Sequence, residues 1–130
     1  MDFAAGQRWT YRTPSGYEAS RIVVGAVVTF RGSERAVCVA IAGAPGRTLD
    51  GRHDPIDIPF LAFTQSAFEA TVGALDGSDV PPAAFAAGME AWAADSRGLA
   101  VFTVPFEGTL DGLIARQMAE IVGPGAVAIQ

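Results

Sequence analysis

His53 is the only histidine in the chain, and two carboxylates, Asp54 and Asp57, stand beside it. A carboxylate near an imidazole fixes its tautomer and favours the imidazolium, so this is where an oriented general base would sit. On that reading Asp54 or Glu18 orients His53, an arginine stabilises a developing anion, and the protein is a small hydrolase or isomerase. The structural alternative is preferred: Asp57 caps a helix, Pro55 shapes a turn and His53 bonds to loop backbone. Nucleophilic catalysis has only generic serines and no G-x-S-x-G elbow, so no triad can be written. Metal binding is not expected, because one histidine and the lone Cys38 are too few for zinc, and Asp50, Asp54 and Asp57 miss the calcium-loop spacing. Cys38 lies in the apolar run 36–41 and reads as a buried, inert thiol. Gly43-Ala44-Pro45-Gly46-Arg47-Thr48 lacks the lysine of a phosphate loop. No cofactor is expected.

A second group offers binding rather than catalysis. Trp9 and Tyr11 alternate with Arg8, Thr10 and Arg12, which puts two aromatic rings on one strand face and two guanidinium groups on the other. Around a concave sheet that pair would take a small planar or anionic ligand; otherwise Trp9 and Tyr11 are core. Trp92 reads as core at its helical spacing. The net charge of -5 and pI near 4.6 argue against nucleic acid. Residues 1–52 hold seven arginines against four acids, a balance of +3, whereas residues 53–130 hold two against ten, a balance of -8. Such asymmetry suggests a basic face for an anion or faces that meet between subunits, although arginines on solvated strand edges are the simpler account.

The elements that must position these residues start with a strand over 7–13 and a turn at Pro14-Ser15-Gly16. A second strand runs from Glu18 to Phe30, with Ile22, Val24, Ala26, Val28 and Phe30 in one register and a bulge or bend at Gly25. After a compact turn at 31–35, residues 36–42 form a third strand, which completes an antiparallel meander. A long loop over 43–57 follows. Asp57 then caps a helix from Ile58, with Leu61, Phe68, Val72 and Leu75 on one face before Asp76-Gly77 stops it. A second helix carries Phe85, Met89 and Trp92 and ends at Arg97-Gly98. Leu99 to Pro105 reads as a fourth strand, and a last helix over 107–122 turns Leu110, Ile114, Met118 and Ile121 inward. The order βββααβα argues for an α+β fold, a curved antiparallel sheet or partial barrel with helices packed on one side.

With 130 residues, 50% of them apolar and 18% charged, the chain suits a single folded domain over 1–130 and excludes disorder as the main state. Mean hydropathy is +0.29, yet Gly, Pro, Arg or Asp break every apolar run short of the roughly 18 residues a membrane span needs. The start lacks the basic and apolar stretches of a secretion signal, so a cytoplasmic protein without membrane contact is expected. An apolar surplus in so short a chain favours a homodimer that hides some of it. The absence of lysine and asparagine reflects GC-rich coding and bears on no function.

Gly6-x-x-Trp9-x-Tyr11-Arg12-Thr13, Glu18-x-Ser20, His53-x-Pro55 leading into a helix with Ser66, then Trp92 and Val101-Phe102-Thr103-Val104-Pro105 resemble a family of small uncharacterised bacterial cytoplasmic proteins. The resemblance spans residues 6–106. It implies no activity, but it groups Trp9, Tyr11, Glu18, Ser20 and His53 as one cluster; here Asp54 follows His53 where the family pattern has an apolar residue. The expected function is a non-enzymatic binding or interaction module for a protein partner or a small anionic ligand, using the sheet and the 43–57 loop. The enzyme with His53 as base is the alternative. An antidote-like immunity protein, whose acidic half blocks a basic partner, is a third.

Overall fold

The computed structural model describes residues 2–47, 53–95 and 100–128, without the side chains of Arg47, His53 and residues 122–128. Five strands, β1 Gln7–Tyr11, β2 Arg21–Val28, β3 Ala36–Arg47, β4 His53–Thr64 and β5 Val72–Ser78, form one open antiparallel sheet in the order β4-β3-β2-β1-β5. Among the described residues three helices accompany it: α1 Gln65–Thr71, α2 Ala83–Ala93 and α3 Leu110–Ala128. The α+β class and the antiparallel meander of the first three strands are as expected. No described helix is long and apolar enough to cross a membrane.

Alternation along β3 and β4 divides the apolar side chains between two clusters, because successive strand residues point to opposite faces. Val37, Val39, Ile41, Ile58, Leu61 and Phe63 join Trp9, Tyr11, Ile22 and Val24, and this face is closed by Phe68 of α1, by Phe106 ahead of α3 and by Leu113 in its first turn. Cys38, Ala40 and Ala62 face the other way and are covered by Phe85 of α2, with Phe60, Met89 and Trp92 around them. Phe63 and Phe68 are both fully buried, and each contributes about 2–3 kcal/mol by leaving water.

Gly25 does mark a bulge: the β2–β3 register shifts between Val24 and Ala26. One extra residue inverts the facing of everything after it. The single register expected from Ile22 to Phe30 is therefore split, with Ile22 and Val24 in the first cluster and Ala26 and Val28 against the second. The bulge also sets Gly25 directly under the Phe85 ring, where a Cβ would lie 2.3 Å from Cζ. Gly88 plays the matching part on α2, since a Cβ there would lie 2.6 Å from the Phe60 Cβ. Glycine in a helix interior costs about 1 kcal/mol, and here it admits the close approach of helix to sheet.

Residues 53–64 differ most from expectation. The segment read as loop and helix start is strand β4, paired with β3 from Ala36↔Thr64 to Arg47↔His53. The register shift between Val39↔Leu61 and Ile41↔Ile58 puts an extra residue on β4 and absorbs Pro59, which has no ladder donor to offer and lies on an edge strand. Asp57 caps no helix; its Oδ1 accepts from the Gly43 backbone N–H at 2.9 Å across the hairpin. The cap of α1 is Thr64, whose side chain accepts from the Ala67 N–H. Val72 and Leu75, expected on that helix, belong to β5 beside β1. The expected strand 99–105 reduces, among its described residues, to one parallel bridge, Phe63↔Phe102. Among the described side chains of α3 the buried one is Leu113 and Leu110 packs half-buried on the core, whereas Ile114, Met118 and Ile121 are 47%, 54% and 67% exposed. Gln117, on the same side as Leu113, is held by Thr103, so the inward face of the helix is rotated away from the apolar stripe.

Candidate functional site

The cluster Trp9, Tyr11, Glu18, Ser20 and His53 does not assemble as one site among the described residues. Tyr11 and Ser20 do meet, with Oη and Oγ 2.7 Å apart. Ser20 Oγ donates onward to the Ala42 carbonyl at 2.7 Å, so the phenol donates to Ser20 and the relay ends on backbone. Both residues are buried, and burial pushes the Tyr11 phenol up while its bond to Ser20 opposes the rise. A neutral, fully bonded pair of this kind registers the β1–β2 connection against β3. Trp9 is 6% exposed, packs edge-on against Phe3, and donates from Nε1 to Gln7 Oε1. It is a core ring, as is Tyr11, which stacks at a tilt on Phe106.

Glu18 serves its own turn. Both carboxylate oxygens accept from the Gly16 N–H, and those bonds hold the Glu18 carboxyl below the usual range. Asp54 is exposed on the β3–β4 hairpin opposite Gly46. His53 opens β4 opposite Arg47, but its side chain lies outside the described set, as do residues 48–52 of the expected loop. Among the described residues, no group of three or more metal-ligating side chains converges.

Part of the charge asymmetry closes within the chain. Arg21 Nε donates to Asp76 Oδ2 at 2.6 Å, and Arg8 Nε donates to the Asp76 carbonyl at 2.7 Å, with longer ion pairs to Asp76 and Asp79. Basic β1 and β2 thus meet the acidic second half at β5, and the Arg21 bond holds the Asp76 carboxyl below its ordinary value. Arg12 differs. It is exposed and borders a cleft of about 300 Å³ with Thr71, Gly73 and Glu107, and no described side chain pairs with it.

A larger cleft, of about 540 Å³, opens where the β2–β3 turn, the end of β4 and the segment after α2 converge. Phe30, Ala36 and Val101 form its apolar lining, and Ser33, Glu34 and Thr64 its polar one. Its walls are tied down. The Gln65 N–H donates to the Arg35 carbonyl, Arg35 Nε donates to Gln65 Oε1, and Ser66 donates from backbone N and Oγ to the two Glu34 oxygens at 2.9 and 3.0 Å. These Ser66 bonds hold the Glu34 carboxyl below the usual range, so it is ionised near neutral pH. On the far wall, Phe102 brackets the end of β4 with two backbone bonds, and Trp92 Nε1 donates to the Ala100 carbonyl. Trp92 also backs Phe30, ring centroids 6.4 Å apart. Sequence reading missed this cleft because Glu34 and Ser66 are 32 residues apart, and no local pattern links a turn carboxylate to a helix start so far away. No family model matches the chain, and neither a curated protein nor a solved structure matches it.

Proposed function

We propose that the protein is a non-enzymatic binding module whose ligand seats in the cleft between Phe30 and Val101. The observation that carries this reading is the cleft itself: about 540 Å³, within the range of small-molecule sites, with an apolar lining and a few fixed polar groups. Three other chemistry-bearing side chains support it by being engaged elsewhere, Tyr11 with Ser20, Glu18 with Gly16 and Arg21 with Asp76. Thermal unfolding against a panel of small carboxylates, sugar phosphates, nucleotides and aromatic amines tests it. A ligand at about 100 times its Kd adds roughly 2.7 kcal/mol, several degrees in a domain of this size. The reading requires a shift that Val101→Phe abolishes; a panel without any shift removes it.

A small anion at Arg12 is the second reading, favoured by that guanidinium standing unpaired among the described residues beside its own cleft. A shift with phosphate or carboxylate that Arg12→Ala removes and Val101→Phe leaves intact would select it. We also propose a cytoplasmic homodimer joined through Ile114, Met118 and Ile121 of α3, which are exposed at helical spacing. Light scattering behind gel filtration should give twice the 13.5 kDa chain mass, and Met118→Glu should return the monomer.

A further inference from the structure

We infer that the Phe30–Val101 cleft selects an organic cation, a primary amine on a compact apolar body, with Glu34 as the group that receives the ammonium. This rests on the binding reading and adds the ligand's chemical class. Among the described residues that line the cleft, one is charged, the Glu34 carboxylate. Ser66 donates one bond to each of its oxygens, which leaves further lone pairs on both, because an ionised carboxylate accepts about four hydrogen bonds. Ammonium is matched to that vacancy: it brings up to three donors and the opposite charge, and charge-assisted bonds are roughly twice as strong as neutral ones. A ligand carboxylate or phosphate would face Glu34 with like charge. The two arginines of the turn do not relieve that conflict, since neither Arg31 nor Arg35 lines the cleft and Arg35 is bonded to Gln65.

The apolar part of the ligand follows from the rest of the lining. Phe30, Ala36 and Val101 offer ring and methyl surface and no donor. Ser33 and Thr64 add two hydroxyls to the lining, of which the Thr64 oxygen accepts from the Ala67 N–H. The walls are preformed, because the turn is bonded to α1 and the 100–102 segment to β4 and Trp92. Ordering costs on binding are correspondingly low.

Three probes with nearly the same body separate the possibilities: 2-phenylethylamine, 2-phenylethanol and 3-phenylpropionate, each titrated calorimetrically into the full chain, wild type and variants. Phenylethylamine should bind saturably and tightest, about tenfold or more tighter than the alcohol, and Trp92 fluorescence should change with it through Phe30. Glu34→Gln keeps an acceptor for Ser66 and removes the charge, so it should erase the preference for the amine. Val101→Phe should abolish binding of every probe, with Ser33→Phe in the exposed turn as the second blocking variant if the first does not fold. Equal or tighter binding of the alcohol or the propionate, blocked at Val101 or Ser33, overturns the cation inference and leaves the binding reading standing. Failure of all three probes to bind, or binding that neither blocking variant touches, overturns both.

Discussion

On one face of the sheet the space is filled by large rings, Phe63, Phe68 and Phe106 with Leu113, all fully buried in one cluster, with the Phe63 and Phe68 rings in contact. On the other, Cys38, Ala40 and Ala62 present a shallow floor, and α2 reaches it only because Gly25 and Gly88 leave room for Phe85 and Phe60. The first face draws its stability from volume and the second from proximity, so the two should respond to different insults. Removing atoms injures the ring-filled face, whereas adding them injures the face under α2. The cleft lies where these regions part, between Phe30, which touches Trp92 of the α2 side, and Val101, next to the Phe102 that contacts Phe63 of the ring-filled side.

The largest effect should come from Phe68→Ala, about 3–5 kcal/mol in chemical denaturation; a loss under 1 kcal/mol would mean that the ring-filled face is not the main core. Gly25→Ala comes next, at about 1–3 kcal/mol, since the new methyl enters the Phe85 ring. Phe85→Leu should recover part of that loss, and a purely additive double variant would separate the glycine from the ring. Cys38 is fully buried beneath α2, and burial pushes its thiol up to about 11. It should resist thiol reagents at pH 8 and react faster in Gly25→Ala, so labelling measures how readily the second face opens without global unfolding.

Tyr11→Phe should cost about 1 kcal/mol, because Ser20 keeps its bond to Ala42 when the phenol is gone. The smallest effect is electrostatic. Asp76 has a folded pKa below its ordinary value, first of all through Arg21, so its stabilisation is complete above the unfolded pKa and is lost as pH falls through the lowered folded one. Asp76→Asn should lower stability slightly at neutral pH and leave it unchanged at low pH, where Asp76 is protonated in any case, so the acid limb flattens; an unaltered profile would show that this exposed pair contributes nothing.

Where a segment's periodicity matched its final environment, the sequence was legible. Trp9 and Tyr11 alternate in a strand with one buried face, Phe85, Met89 and Trp92 line one side of α2, and the apolar run around Cys38 is a central strand. Residues 56–64 were not legible, because Ile58, Leu61 and Phe63 interrupt a two-residue period with a bulge at Pro59, and the result imitates helical spacing. The site residues fared unevenly for a similar reason. Residue type marked Tyr11, Glu18 and Arg8 as chemically able, but their partners Ser20, Gly16 and Asp76 absorb that capacity. Glu34 looked like one charge in a surface turn until Ser66 came to it.

By itself, then, the chain determined the α+β class, the first three strands and α2, since neighbouring residues set those through side-chain facing and propensity. Tertiary structure alone decided that 53–64 would be a strand, that β5 would pair with β1, and that Glu34 would border a cleft. Each of these depends on hydrogen bonds or walls supplied from distant segments: β3 for β4, β1 for β5, and α1 with residues 100–102 for the cleft. A strand cannot satisfy its backbone groups from within itself and needs partners from other segments, and a cavity exists only between elements that have already met.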